Sequence, residues 1–299
     1  AGAHPSARAI PCPRAAPPDM LCIPGGAFAL GDPTFAGLSR GQEDETVPLP
    51  ERLVVLSPYF LDEREVTVGT VRSLLASGAF KASLVERSDD VSKERGACTY
   101  TAAPGAFESH PINCITALEA EQICAALGKR LPSEAEWEFA AANRTSETQF
   151  PWGASEDYCA MSVISRSRSI LEASDSSDLL FGASFCRTQP PSAPTKPWGP
   201  VPVTSETMDR SACDDSGRCL AFMGGNVAEW VADGFASYDA PCWQGFPLRD
   251  PKCPTQGATY RVVRGGSWSS YGYESRAHWR QVHTAKASPS VGVRCAASM

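Results

Sequence analysis

The sequence predicts a single α+β domain with few helices, short strands, many loops and a set of disulfide bonds. Three observations lead to this prediction: two short segments carry strong helix-start signals, several apolar strands are interrupted by proline or glycine, and the 299 residues include twelve cysteines. A chain of this length buries roughly three quarters of its unfolded surface, so it can form a hydrophobic core. The sequence contains no evident internal repeat and no clean linker.

The strands come first along the chain. Residues 22–28 indicate a short strand broken by a Pro-Gly turn, and residues 53–56 and 59–61 indicate two more, separated by Ser57-Pro58. Residues 67–75 then predict a helix that Thr67 caps and Gly78 ends.

Two capping boxes predict the next helices. Thr116 and Glu119 form the first box, and Ser133 and Glu136 form the second. In such a box the hydroxyl and the carboxylate satisfy backbone amides that the first helical turn leaves without partners. Both helices are therefore expected to begin at these residues.

The domain organisation follows from changes in composition. Residues 1–19 are rich in Ala and Pro and are predicted to be a flexible N-terminal tether. Residues 20–299 are predicted to form one domain, with elaborated loops at 81–109 and 154–218 where no sustained periodicity occurs. Loops on a rigid scaffold are common recognition elements.

Charge and cysteine content limit the classes of protein. The formal net charge is −7, which argues against nucleic acid as a partner, because binding it needs a basic surface. No apolar run approaches the roughly 18 residues of a membrane span, although an N-terminal anchor removed by processing stays open. The even number of cysteines, without any CxxC pair, favours disulfides over a metal site and hence an extracytoplasmic location: periplasmic, cell-surface or secreted.

Several segments together resemble the formylglycine-generating enzyme family, also called the sulfatase-modifying factor domain. They follow the order of the family and extend from about residue 21 to 297. The matching segments are 23–28 (IPGGAF), 60–67 (FLDEREVT), 110–111 (HP), 128–138 (GKRLPSEAEWE), 151–153 (PWG), 224–230 (GGNVAEW), 261–268 (RVVRGGSW), 276–280 (RAHWR) and 291–295 (VGVRC). The resemblance implies an irregular α+β fold, related to C-type-lectin-like domains, with little regular secondary structure.

The resemblance also locates the oxidase site, and this sequence departs from it. Oxidases of the family hold copper(I) with two cysteines, and those positions correspond here to Ser270 and Ser275. A serine hydroxyl is hard and un-ionised at neutral pH, so it cannot replace a soft thiolate ligand. The tyrosine of the oxidases falls on Glu274 and a tryptophan on Ala228, whereas Ser267 is retained. We therefore predict that the protein binds no copper and makes no formylglycine.

The family pattern implies one disulfide, between Cys124 and Cys295. The other ten cysteines go beyond that pattern, and spacing alone leaves their pairing open. Local pairing is the simplest arrangement, and it gives Cys12–Cys22, Cys98–Cys114, Cys159–Cys186, Cys213–Cys219 and Cys242–Cys253.

The resemblance further implies a calcium site. By position, the backbone oxygens of Gly225 and Val227 and the carboxylate of Glu229 are retained, and calcium accepts oxygen ligands of both kinds. Phe222 replaces a residue that supplies a side-chain oxygen in the family. The alternative interpretation makes Glu229 a buried acceptor for backbone amides.

Two classes of function remain. The first is an exported binding or assembly module for a protein, peptide or glycan partner; an inactive regulator that pairs with an active relative is a variant of it. The second is an enzyme of altered chemistry, an oxidoreductase or a natural-product maturation enzyme, at the same cleft. A packed histidine is the simpler interpretation of His278. The candidate side chains at the cleft are Ser267, Ser270, Glu274, Ser275, His278 and Arg280.

Overall fold

The computed structural model describes residues 9–32, 48–88, 97–166 and 199–299. In these ranges the regular elements are short. The strands are β1 (Met20–Ile23), β2 (Gly26–Leu30), β3 (Arg52–Leu56), β4 (Tyr59–Asp62), β5 (Arg210–Ser211), β6 (Leu220–Ala221), β7 (Ala228–Gly234), β8 (Leu248–Arg249), β9 (Arg261–Arg264), β10 (Arg280–His283), β11 (Val291–Gly292) and β12 (Ala296–Ser298). The helices are α1 (Val68–Ser77), α2 (Ala117–Ala126), α3 (Glu134–Ala141) and α4 (Tyr158–Met161).

The strands of the described residues form small sheets rather than one large sheet. The largest has the order β10-β9-β7-β11, with β7 antiparallel to β9 and parallel to β11. Two three-stranded sheets have the orders β1-β4-β12 and β2-β3-β8, and β5 pairs with β6. The fold is therefore α+β with little regular structure, as the sequence predicts.

The sheet that contains β7 lies between two hydrophobic clusters. Successive side chains of a strand point to opposite faces. Accordingly, Trp230 and Val263 belong to the cluster that contains α1 and α2, whereas Val231 and Val262 belong to the cluster that contains α3. Because both faces are covered, all seven residues of β7 are buried.

The helix starts agree with the sequence prediction. The Thr67 hydroxyl accepts a hydrogen bond from the Thr70 amide at the start of α1, and both capping boxes form at the starts of α2 and α3. Helix α1 ends at Gly78, whose φ of 74° is a left-handed conformation that costs glycine little. All eight residues of α3 are buried, so this short helix is a core element.

Five disulfides link described residues. They join Cys12 to Cys22, Cys98 to Cys114, Cys124 to Cys295, Cys213 to Cys219, and Cys242 to Cys253. Cys159 is also disulfide-bonded, and Cys186, its expected partner, lies outside the described residues. The long Cys124–Cys295 bridge fastens α2 to the C-terminal segment between β11 and β12.

The N-terminal segment differs from the flexible tether expected for residues 1–19. Residues 1–8 lie outside the described residues, but Ile10 pairs with Gly25 through backbone hydrogen bonds. The Cys12–Cys22 disulfide fastens the segment a second time. Composition indicated a tether because this proline-rich segment lacks the periodicity of a helix or a strand. The Cys12–Cys22 disulfide and the Ile10–Gly25 bridge hold residues 9–19 in place, and neither requires such periodicity.

The two predicted loop regions contain little regular structure where they are described. Residues 81–88 and 97–109 contain no α-helix or strand. The second region includes α4 and β5, while residues 167–198 lie outside the described ranges. In the described part of the chain no helix is long and apolar enough to cross a membrane.

We expect the Cys124–Cys295 disulfide to contribute more stability than the short bridges. It closes a loop with a sequence separation of 171, against 6 for Cys213–Cys219. A disulfide stabilises the fold mainly by restricting the unfolded chain, and the effect grows with the length of the closed loop. Replacing both cysteines with alanine should therefore lower the free energy of unfolding by about 5 kcal/mol for the long bridge and by about 2 kcal/mol for the short one. Urea unfolding of the two double variants under non-reducing conditions measures this. Equal losses would contradict the loop-length explanation.

Candidate functional site

A buried ionic network connects α3 to the central sheet. The Glu134 carboxylate accepts hydrogen bonds from Arg280 Nε at 2.6 Å and Nη2 at 3.1 Å, and Glu138 forms an ion pair with Arg264. These four side chains are 0% exposed. His278 Nδ1 lies 3.4 Å from Glu138 Oε1. The structure thus places His278 and Arg280 in this structural network.

A second buried ion pair holds Glu229. Its Oε1 accepts a hydrogen bond from Arg294 Nε at 2.9 Å, and its Oε2 accepts one from Trp137 Nε1 at 2.7 Å. Glu229 is therefore a buried acceptor, as in the alternative interpretation, but its donors are side chains rather than backbone amides.

Calcium at Gly225, Val227 and Glu229 stays a prediction. An ion there would have to compete with the Arg294 guanidinium for the Glu229 carboxylate, and Phe222 is buried without offering a side-chain oxygen. Within the described ranges, no group of three or more His, Cys, Asp or Glu side chains could hold a metal ion.

Chelation with EGTA tests whether calcium is bound. The midpoint of unfolding falls after chelation if calcium is bound and is unchanged otherwise.

Four serine side chains form a hydrogen-bonded group that includes Ser270, one of the two positions that the family resemblance assigns to a copper ligand. Ser270 Oγ lies 3.1 Å from Ser267 Oγ and accepts a hydrogen bond from the Ser267 amide at 3.0 Å. The Ser267 hydroxyl lies 3.1 Å from that of Ser269, which lies 2.6 Å from that of Ser290. These four residues are called the serine cluster below. Its hydroxyls form a chain from Ser270 through Ser267 and Ser269 to Ser290, and Ser267 and Ser270 are buried.

Ser275 lies apart from this cluster. Its hydroxyl is buried and has no hydrogen-bond partner among the described residues. A Cβ atom added at Gly266 would lie 2.9 Å from Ser275 Oγ, and one added at Gly224 would lie 3.3 Å from its carbonyl oxygen. The two glycines therefore let three chain segments meet at Ser275.

Glu274 caps the turn between Ser270 and Ser275. Its Oε2 accepts a hydrogen bond from the Tyr271 amide at 2.7 Å. Burial raises the pKa of Glu274 above its usual value, although hydrogen bonds from Tyr271 and Ser270 oppose the shift. Glu274 thus acts as a structural cap beside Ser270.

A cleft of ≈ 870 Å³ adjoins the serine cluster. Its wall includes residues 159–164, and this segment continues to Ser165, whose amide and hydroxyl both donate to the Ser270 carbonyl. A second segment lines it through Glu206, Thr207, Met208 and Arg210. The cleft is open, chemically mixed, and built from segments far apart in the sequence.

A buried carboxyl group links the two segments that line the cleft. Asp209 Oδ2 accepts hydrogen bonds from the Ser162 hydroxyl at 2.7 Å and from the Gly224 amide at 2.9 Å. Burial raises the pKa of Asp209 to about 6, against the opposing effect of these hydrogen bonds. The sequence analysis missed Asp209 and Ser162, because neither belongs to a spaced motif and 47 residues separate them.

Ser267, Ser270, Glu274 and Ser275 share one loop next to the cleft, whereas His278 and Arg280 belong to the ionic network of α3. The six candidates therefore do not form one site. The described cysteines include no free thiol.

The chain belongs to the family of the sulfatase-modifying factor enzyme 1-like domain, whose family model matches residues 6–299. It is 28% identical to the formylglycine-generating enzyme of Thermomonospora curvata over 317 residues, covering 93% of each protein. It is 29% identical to the serine/threonine-protein kinase pkn1 of Chlamydia pneumoniae over 93% of this chain, but it spans only 38% of that protein's length.

The fold is also similar to solved structures. The structure of PvdO from Pseudomonas aeruginosa matches with a TM-score of 0.59 and 21% sequence identity, covering 94% of each chain. At this identity the likeness shows the fold alone.

We expect stability to depend on pH through Asp209. Its pKa is raised from 3.8 to about 6 in the folded protein, so its contribution to folding is fully present below about pH 4 and is lost as the pH rises through 6. Relative to the wild type, Asp209→Asn should therefore gain stability between pH 4 and 7.5, by up to about 3 kcal/mol. Urea unfolding at several pH values measures this difference.

Asp214→Asn is the matched control. Asp214 is fully exposed, and hydrogen bonds led by that of Ser216 lower its pKa. Its contribution to stability is therefore present above the unfolded-state pKa of 3.8 and is lost as the pH falls through the lowered folded value. This variant should show no gain over the wild type between pH 4 and 7.5. Parallel pH profiles for the two variants would contradict the assignment.

We expect Ser275 and Ser270 to respond in opposite ways to alanine. Ser275→Ala removes a buried hydroxyl without a partner, so the free energy of unfolding should stay unchanged or rise by about 1 kcal/mol. Ser270→Ala leaves the Ser267 amide without its acceptor and should cost about 1–3 kcal/mol. Chemical unfolding of both variants checks this, and a larger loss for Ser275→Ala would refute it.

Proposed function

We propose that the protein is an extracytoplasmic, disulfide-braced binding or assembly module of this family that lacks the copper oxidase activity. One observation carries the proposal: the two positions of the copper-binding thiols are Ser270 and Ser275. The Ser270 hydroxyl is hydrogen-bonded to Ser267, and the buried Ser275 hydroxyl lies against Gly266. A hydroxyl oxygen is hard and un-ionised at neutral pH, so neither group binds the soft copper(I) ion.

The cleft supports a binding role. It combines exposed apolar surface at Met208, which is 62% exposed, with charged groups of both signs at Glu206 and Arg210. Such mixed surfaces suit a polymeric partner: a protein, a peptide or a glycan. The disulfides support an extracytoplasmic location, because reducing compartments do not maintain them.

An enzyme of altered chemistry at the same cleft is the second candidate. Glu274 favours it, because its half-buried carboxyl group has a raised pKa and accepts a hydrogen bond from the Ser270 side chain, an arrangement that suits a general base. Metal analysis of the protein as purified separates the two candidates. Stoichiometric iron or copper supports the enzyme, whereas calcium alone or no metal supports the module.

We expect no copper(I) binding and no oxidation of a Cys-x-Pro-x-Arg peptide by the wild-type protein. The double variant Ser270→Cys/Ser275→Cys should gain copper(I) binding, because it places a thiol at each position. Competition with a chromogenic copper(I) chelator measures the affinity, and mass spectrometry measures peptide oxidation. The single variants are the matched controls and should bind at least about tenfold more weakly, since each provides one soft ligand. Oxidation of the peptide by the wild type would refute the proposal.

A further inference from the structure

We propose that a neutral oligosaccharide binds to an aromatic platform formed by Tyr271, Tyr273 and Trp279, beside the serine cluster. The inference rests on the proposed function and specifies the chemical class of the partner. A sugar ring presents a face of C–H groups and an edge of hydroxyl groups. In this region, aromatic side chains can pack against the C–H face, and serine hydroxyls can hydrogen-bond with the edge.

The platform consists of three rings in contact. Those of Tyr271 and Tyr273 are stacked, with centroids 5.8 Å apart and an interplanar angle of 5°. The Trp279 ring meets Tyr273 edge-on, with centroids 5.1 Å apart. Tyr271 is 36% exposed, so part of an aromatic side chain remains open to a ligand.

Packing fixes the platform in place before any ligand arrives. A Cβ atom added at Gly272 would lie 2.3 Å from the Tyr158 ring, so the chain between the two tyrosines lies directly against α4. The Glu274 carboxylate accepts a hydrogen bond from the Tyr271 amide, which restrains the chain beside the first ring. A rigid aromatic surface loses little entropy on binding, which favours a ligand that offers only weak individual contacts.

Hydroxyl groups lie next to the platform. Ser270 precedes Tyr271 in the chain, and its cluster extends to the half-buried Ser269 and Ser290. A hydroxyl oxygen can accept two hydrogen bonds, so the half-buried Ser269 and Ser290 keep capacity to accept from sugar hydroxyls. Helix α4, which supports the platform through Tyr158, also lines the cleft through Cys159, Ala160 and Met161. A chain of sugar units could therefore continue from the platform into the cleft.

The electrostatic surroundings favour a neutral ligand. Burial, Glu274 and Tyr271 raise the pKa of Tyr273 to about 12. The Glu274 carboxylate, which accepts a hydrogen bond from the Tyr271 amide, lies at the platform and would repel an anionic glycan. The platform therefore differs from the cleft wall, where charged groups of both signs occur.

Titration with cellohexaose, chitohexaose, maltohexaose, laminarihexaose and mannohexaose tests the proposal on the full chain. We expect at least one to bind, with saturation-transfer NMR signals strongest at the C–H protons of the sugar face. Tyr271→Ala should weaken binding about five- to tenfold, the loss expected for one aromatic contact. Tyr271→Phe keeps the ring and should bind within about twofold of the wild type.

Tyr260→Ala is the matched control, since Tyr260 is 44% exposed and belongs to no contact of the platform. It should leave binding unchanged, and near-UV circular dichroism confirms that each variant is folded. If none of the five sugars binds at about 1 mM, or if Tyr260→Ala weakens binding as much as Tyr271→Ala, the inference is wrong. If the protein binds members of a neutral octapeptide library and none of the sugars, the assignment of an oligosaccharide ligand is wrong, whereas the proposal of a binding module still holds. Peptide oxidation, by contrast, would refute the module itself.

Discussion

The pairing of buried carboxylates with buried arginines is the constraint on which this fold depends. Glu134 and Glu138 project from α3 into a core where an unpaired charge would be prohibitively costly. Arg280 and Arg264 neutralise them, and Glu138 also accepts a hydrogen bond from the Gly31 amide at 2.7 Å. Removing one partner of such a pair costs about 3–5 kcal/mol, because the other charge stays buried. The network therefore fixes α3 against β9, β10 and the end of β2.

The same constraint limits which residues near the cleft are free to do chemistry. Arg280 and His278 lie close in sequence to Ser275, but their side chains are occupied in the network of α3. Glu229 is occupied in the same way by Arg294 and Trp137. These buried charges are therefore bound to one another within the core and are not available at the cleft.

Local signals were sufficient to predict the helices, whereas the cleft required the fold. Capping boxes act within four residues, so Thr116 and Ser133 could be located without tertiary information. The order of the family motifs assigned Ser270 and Ser275 to the copper-ligand positions, and that assignment stays a prediction. In contrast, the contact of Asp209 with Ser162 depends on how two loops cross, and no periodicity or spacing encodes that crossing. For the same reason, sequence proximity grouped His278 with Ser275 although they serve different parts of the structure.

The Cys124–Cys295 disulfide has a consequence for the integrity of the chain. It spans the loop that contains the cleft, the serine cluster and the ionic partners of α3. A protease that cuts the backbone once between these cysteines produces two polypeptides that stay covalently joined, and the cut ends remain attached to a folded core on both sides. A clipped molecule would migrate as one species until it is reduced. In a protease-rich environment, the bridge therefore allows the exposed loops to be cut without dissociation of the domain.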